Sequence, residues 1–95
     1  MSHEGYHEPV GELSAAARDL HRAIESMMEE LEAVDWYNQR IECCQDEELR
    51  AILVHNRDEE TEHAVMLMEW LRRRNPKFAS EMKARIGRDG PIARE

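Results

Sequence analysis

The stretch Glu47 to Arg74 reads EELRAILVHNRDEETEHAVMLMEWLRRR, with neither Gly nor Pro, and its periodicity sets the architecture. At about 100° per residue with Leu49 as zero, Ile52, Leu53, Leu67, Trp70 and Leu71 all fall within about 60°. That is one face of an amphipathic helix. Asp46 stands where an N-cap belongs, with Glu47 and Glu48 at the positive end, and Arg72, Arg73 and Arg74 occupy the last turn, where cations suit the helix dipole. Glu60 lands about 20° from the centre of the apolar face and His63 about 40° from it on the other side. Asn56 also falls inside, Arg57 and Glu59 lie at the margins, and Asp58 and Glu62 point away. A carboxylate and an imidazole therefore project from the middle of an apolar stripe. Burying an unpaired carboxylate costs several kcal/mol, so Glu60 requires a partner, either the His63 cation or a metal ion.

Upstream, Leu13, Ala17, Leu20, Ile24, Met27, Leu31, Val34 and Ile41 recur in steps of three and four, broken only at Asn38. The pattern predicts an all-α chain with a single half-bundle domain over 1–95. Its parts are a flexible arm 1–12, helix 13–43, helix 47–74, a short helix 76–87 begun by Pro76 and closed by Gly87, and an extended tail 88–95. Two helices of about 45 Å joined by a short turn run antiparallel. Such a hairpin leaves an apolar stripe in water, and 95 residues lie near the size at which one core is marginal. Pairing of two copies into a four-helix bundle removes both problems.

Carboxylate-bridged di-metal bundles need two Glu-x-x-His motifs and two further Glu residues. Glu60 and His63 form one such motif on a helix. Glu4-Gly-Tyr-His7 matches the letters inside the Gly- and Pro-containing arm, where no helix holds the spacing, and the residues three before His21 and His55 are Arg18 and Ile52. One chain thus carries half a site, which a two-fold dimer completes. The first helix must supply the other carboxylate, and the wheel leaves both Glu30 and Asp35 open. Carboxylate with imidazole suits Fe, Mn or Zn. The competing readings are a divalent-metal binder without turnover and a helical oligomerisation module in which Glu60 and His63 are only an ion pair.

Glu25, Glu29, Glu32 and Trp36 align on another side of the first helix, a run of like charge able to gather cations and an outward indole suited to a subunit contact. Tyr37, near the same edge as Glu30, is placed to pack or to hydrogen-bond a ligand. Met27, Met28, Met66, Met68 and Met82 read as flexible core filler. The adjacent Cys43 and Cys44 are no disulfide framework, and they fit a reducing cytoplasm. A net charge of -8 with no basic block argues against nucleic acid and anionic membrane partners. The longest apolar run, Ala64 to Met68, is far short of a membrane span, and MSHEGYHEP has no signal-peptide layout.

The stretch Met28-Glu-Glu-Leu-Glu-Ala-Val-Asp-Trp-Tyr37, followed by His55-Asn-Arg-Asp-Glu-Glu-Thr-Glu-His63 and Met68-Glu-Trp-Leu-Arg-Arg73, closely resembles the encapsulated ferritins. The likeness runs from His7-Glu-Pro9 to Gly90-Pro-Ile92. It implies a hairpin that dimerises into a four-helix bundle, dimers assembling into a decameric ring, and a ferroxidase that oxidises Fe(II) with dioxygen at a di-iron site between subunits. The iron ligands it implies are Glu30, Glu60 and His63 from each chain, which favours Glu30 over Asp35. It further implies an entry-side site at Glu29, Glu32 and Trp36 for calcium or another divalent cation, and places Tyr37 close to the iron centre. Such proteins are cargo of an encapsulin shell, a cytoplasmic nanocompartment in which iron is mineralised. Members of the family carry a C-terminal localisation peptide after a linker; the sequence here ends at Arg94-Glu95, so shell targeting does not follow from these residues.

Overall fold

Each helix begins where a side chain can take up an orphan backbone N–H. A computed structural model describes residues 5–94; residues 1–4, including Glu4, and Glu95 lie outside them. Ser14 accepts from the Ala17 amide at 3.0 Å, so α1 spans Ala15–Cys43 and starts two residues later than the periodicity from Leu13 suggests. Asp46 accepts from the Leu49 amide at 2.8 Å and opens α2, Glu47–Arg74. Asn75 serves two helices: its amide donates to Leu71 O at 2.8 Å, and its side chain accepts from the Phe78 amide at 3.0 Å. Pro76 then opens α3, Pro76–Arg85, with Gly87 beyond it at φ 69°, a conformation that suits glycine. A short 3-10 turn at Val10–Glu12 gives the described part of the arm some order.

The described residues form three α-helices and no strand. α1 and α2 pack along their length as the antiparallel hairpin, while α3 packs against α2. The segment after α3, expected as an extended tail, is tied back: Arg85 donates to the carbonyls of Ile92 and Arg94, and Arg94 returns a bond to Ala84 O. No periodic pattern announces such side-chain-to-backbone ties. No helix among the described residues is long and apolar enough to cross a membrane.

The seam between α1 and α2 is narrow. Its buried residues are Ala23 and Ile41 on α1 and Ala64 and Leu71 on α2. Small Ala23 and Ala64 let the helices approach closely. On the wheel of α1 the buried pair sits about 80° from Leu31, and on that of α2 about 50° from Leu49. The centres of both apolar stripes therefore lie outside the seam, and Leu31 and Leu49 stay about half exposed, at 47% and 49%. Met28, Ile52 and Met66 share this open side.

Candidate metal centre

Glu30 on α1 meets Glu60 and His63 on α2 midway along the hairpin. The i,i+3 spacing stacks Glu60 and His63 on one side of α2. Glu30 lies about 100° from Leu31, close to the angle of the buried Ala23 and Ile41, so its side chain points into the seam. One ligand atom from each of the three residues lies within 4.8 Å of the others, and all three residues are half-buried. His63 Nδ1 is 3.4 Å from Glu30 Oε2 and 3.7 Å from Glu60 Oε2. His63 sits on the open-side edge of α2 and lines a groove of about 580 Å³ with Ala23, Ser26, Met66, Leu67 and Trp70.

Two carboxyls this close cannot both ionise cheaply. Hydrogen bonding with Glu60, then burial, then the Glu60 charge push the Glu30 carboxyl above the usual carboxylate range, and His63 offsets this only in part. Glu30 Oε2 is buried and makes no hydrogen bond. An acceptor left in that state costs free energy unless something fills the place, and a cation between these oxygens and the imidazole would do so. Donors around a single ion at bonds of about 2.0–2.2 Å stand roughly 3–4.4 Å apart, so a small contraction suffices. The residues present thus fit a borderline divalent metal. Among the described residues no other group of three or more His, Cys, Asp or Glu comes together in this way.

The remaining predicted positions are dispersed. Asp35, the alternative carboxylate, is exposed and accepts from Gln39 Nε2 at 3.3 Å. Glu29, Glu32 and Trp36 are exposed, and among the described residues Glu29 and Glu32 join no group of three or more His, Cys, Asp or Glu. Tyr37 is half-buried beneath the Arg40 guanidinium, 5.5 Å from its ring centroid. Cys43 and Cys44 are free thiols at the end of α1, Cys43 exposed and Cys44 half-buried. Two residues that sequence reasoning left without a role do meet: Arg57 Nη1 donates to Asn38 Oδ1 at 3.2 Å across the helices. The signal for this was the break that Asn38 makes in an apolar repeat.

The architecture is that of a helical-bundle protein with a carboxylate–imidazole cluster between its helices. The chain belongs to the EncFtn-like family, whose pattern it matches over residues 5–89. It is 53% identical over 92 residues to the encapsulated ferritin-like protein of Rhodospirillum rubrum, covering 97% of this chain and 66% of that one. It is 36% identical over 70 residues to an encapsulin nanocompartment cargo protein of Myxococcus xanthus, covering 74% of this chain and 52% of that one. The chain thus spans just under two thirds and about half of these relatives. The crystal structure of a protein from Nitrosomonas europaea superposes with a TM-score of 0.90 at 59% identity, covering 96% of this chain and 100% of that one.

Proposed function

We propose that the chain is a ferroxidase: two copies join their open sides, and Glu30, Glu60 and His63 from each hold a pair of Fe(II) ions as substrate. The observation that carries the reading is the buried, unpartnered Glu30 Oε2 facing Glu60 and His63 at the edge of an uncovered apolar side. Each Fe(II) gives one electron to dioxygen and leaves as Fe(III). The protein's part is to concentrate and fix the cations. Glu30 and Glu60 would supply carboxylate oxygens that balance the charge of the cations, and His63 a ring nitrogen. Glu29, Glu32 and Trp36 form an outer cation site, taking calcium or another divalent ion, when brought against a neighbouring subunit, and Tyr37 lies close to the iron centre. Association with an encapsulin compartment is supported by family membership and by what the Rhodospirillum and Myxococcus relatives are called; in this reading the chain assembles there, in the cytoplasm, as a decameric ring and the iron is mineralised.

Oxygen uptake on adding Fe(II), measured against buffer alone, tests this. Glu60→Ala and His63→Ala are expected to reduce the rate to the buffer background. Wild-type rates in both variants would overturn the assignment, and stoichiometric metal binding without oxygen uptake would leave a binder in its place.

A further inference from the structure

Asn38 interrupts the apolar stripe of α1, and nothing in the proposed chemistry uses it. Its wheel angle is only about 20° from that of Leu31, where a leucine or methionine would extend the open apolar side. Across the seam the exposed Asn38 Oδ1 accepts from Arg57 Nη1 at 3.2 Å, a hydrogen bond between side chains of α1 and α2 that lies apart from the Glu30, Glu60 and His63 cluster. Arg57 is itself held in place: Nε and Nη2 donate to Asp58 Oδ1 at 3.2 and 3.1 Å, and its side chain is 31% exposed. Arg50 Nε makes a second tie nearer the turn, donating to Ile41 O at 3.1 Å. That bond answers a carbonyl at the end of α1 and would be available to any arginine passing the helix terminus.

The pairing of Asn38 with Arg57 is different, because a slide of the helices by one turn, about 5.4 Å, would break it. An apolar seam is permissive about such slides: leucine, isoleucine and methionine pack nearly as well one turn away. A polar pair is not, which is how a single asparagine fixes register in coiled coils at a cost in stability. Register matters here because the ligand atoms of Glu30, Glu60 and His63 lie within 4.8 Å of one another, less than that one-turn slide. Arg57 stands one turn from Glu60, and Asn38 about two turns from Glu30. We infer that Asn38 and Arg57 are positioning residues that hold α1 and α2 in the register that brings Glu30 to Glu60 and His63. The inference rests on the metal reading proposed above.

Replacing both residues, Asn38→Leu with Arg57→Leu, separates a register key from an ordinary stabilising contact. The probe is Co(II), whose visible absorption reports binding without turnover, with the thermal midpoint measured on the same samples. The double variant is expected to melt at or above the wild-type temperature yet to bind Co(II) about tenfold more weakly, the range seen when residues supporting metal ligands are removed. Asn38→Asp, which keeps the oxygen acceptor for Arg57, is expected to bind Co(II) within about twofold of wild type, well short of that loss. Arg50→Ala is expected to lower the midpoint and leave Co(II) binding unchanged. Unaltered Co(II) affinity in the double variant overturns the register key and leaves the metal centre standing. A double variant that loses affinity only in proportion to lost helix content also overturns it. Wild-type protein that binds no Co(II), or Glu60→Ala protein that binds it as wild type does, overturns the metal reading and the key with it.

Discussion

Glu69 is the acid most firmly held by its neighbours. Arg72 Nε and Nη2 and Arg73 Nε all donate to its carboxylate at 2.7 Å, and these bonds lower its pKa to about 2. A depressed carboxylate stabilises the folded state above its unfolded pKa, and that contribution fades as the pH falls toward the folded value. Glu69→Gln is therefore expected to lower the thermal midpoint slightly at pH 7. The gap to wild type should close between about 4.5 and about 2. The groups are exposed, so the effect is small. A gap that stays constant across that window would rule out the ion pairs as its source. The choice between Glu30 and Asp35 belongs to the same scale. Asp35 lies nearer the centre of the α1 stripe, only about 40° from Leu31, yet the seam is centred on Ala23 and Ile41 and takes Glu30 into the cluster. The wheel finds the stripe, and only packing tells which edge of it meets α2.

At the scale of the helices, caps and periodicity were readable because both are local. Asp46 accepts from the Leu49 amide as its place before Glu47 and Glu48 suggests, and Asn75-Pro76 divides α2 from α3. Asp46→Ala is expected to cost about 1 kcal/mol in chemical denaturation at fixed protein concentration, and Asp46→Asn only a few tenths. Equal losses in both variants would show that the carboxylate's charge at the helix end, rather than its bond to the Leu49 amide, is what counts. The parts that were not readable depend on distant partners. Arg85 reaches carbonyls seven and nine residues further on, and Arg57 an oxygen nineteen residues back, and each of these bonds leaves the helix its arginine stands on, so periodicity within one helix does not announce it.

The whole molecule is a slab, and its shape is the strongest argument about its assembly. Its extents are 50 × 39 × 19 Å, and its radius of gyration is 16.9 Å. A compact chain of this length would have about 12 Å. Among the described residues four small or aliphatic side chains are buried, while Met28, Leu31, Leu49, Ile52 and Met66 remain about half exposed on one side. The Glu30, Glu60 and His63 cluster lies at the margin of that side, so a second copy laid across it by a two-fold axis would cover the apolar surface and oppose two identical ligand sets. A charge placed there would appear twice at the contact. Ile52→Glu leaves every candidate ligand intact and adds one carboxylate per chain to the uncovered side. Native mass spectrometry is expected to show wild type as an even multiple of 11.2 kDa and Ile52→Glu chiefly as the single chain. Metal content should fall with the mass, because each half-site loses its complement. An Ile52→Glu assembly of wild-type mass and metal content would place the subunit contact on another side of the hairpin, and a single wild-type chain holding two metal ions would overturn the half-site itself.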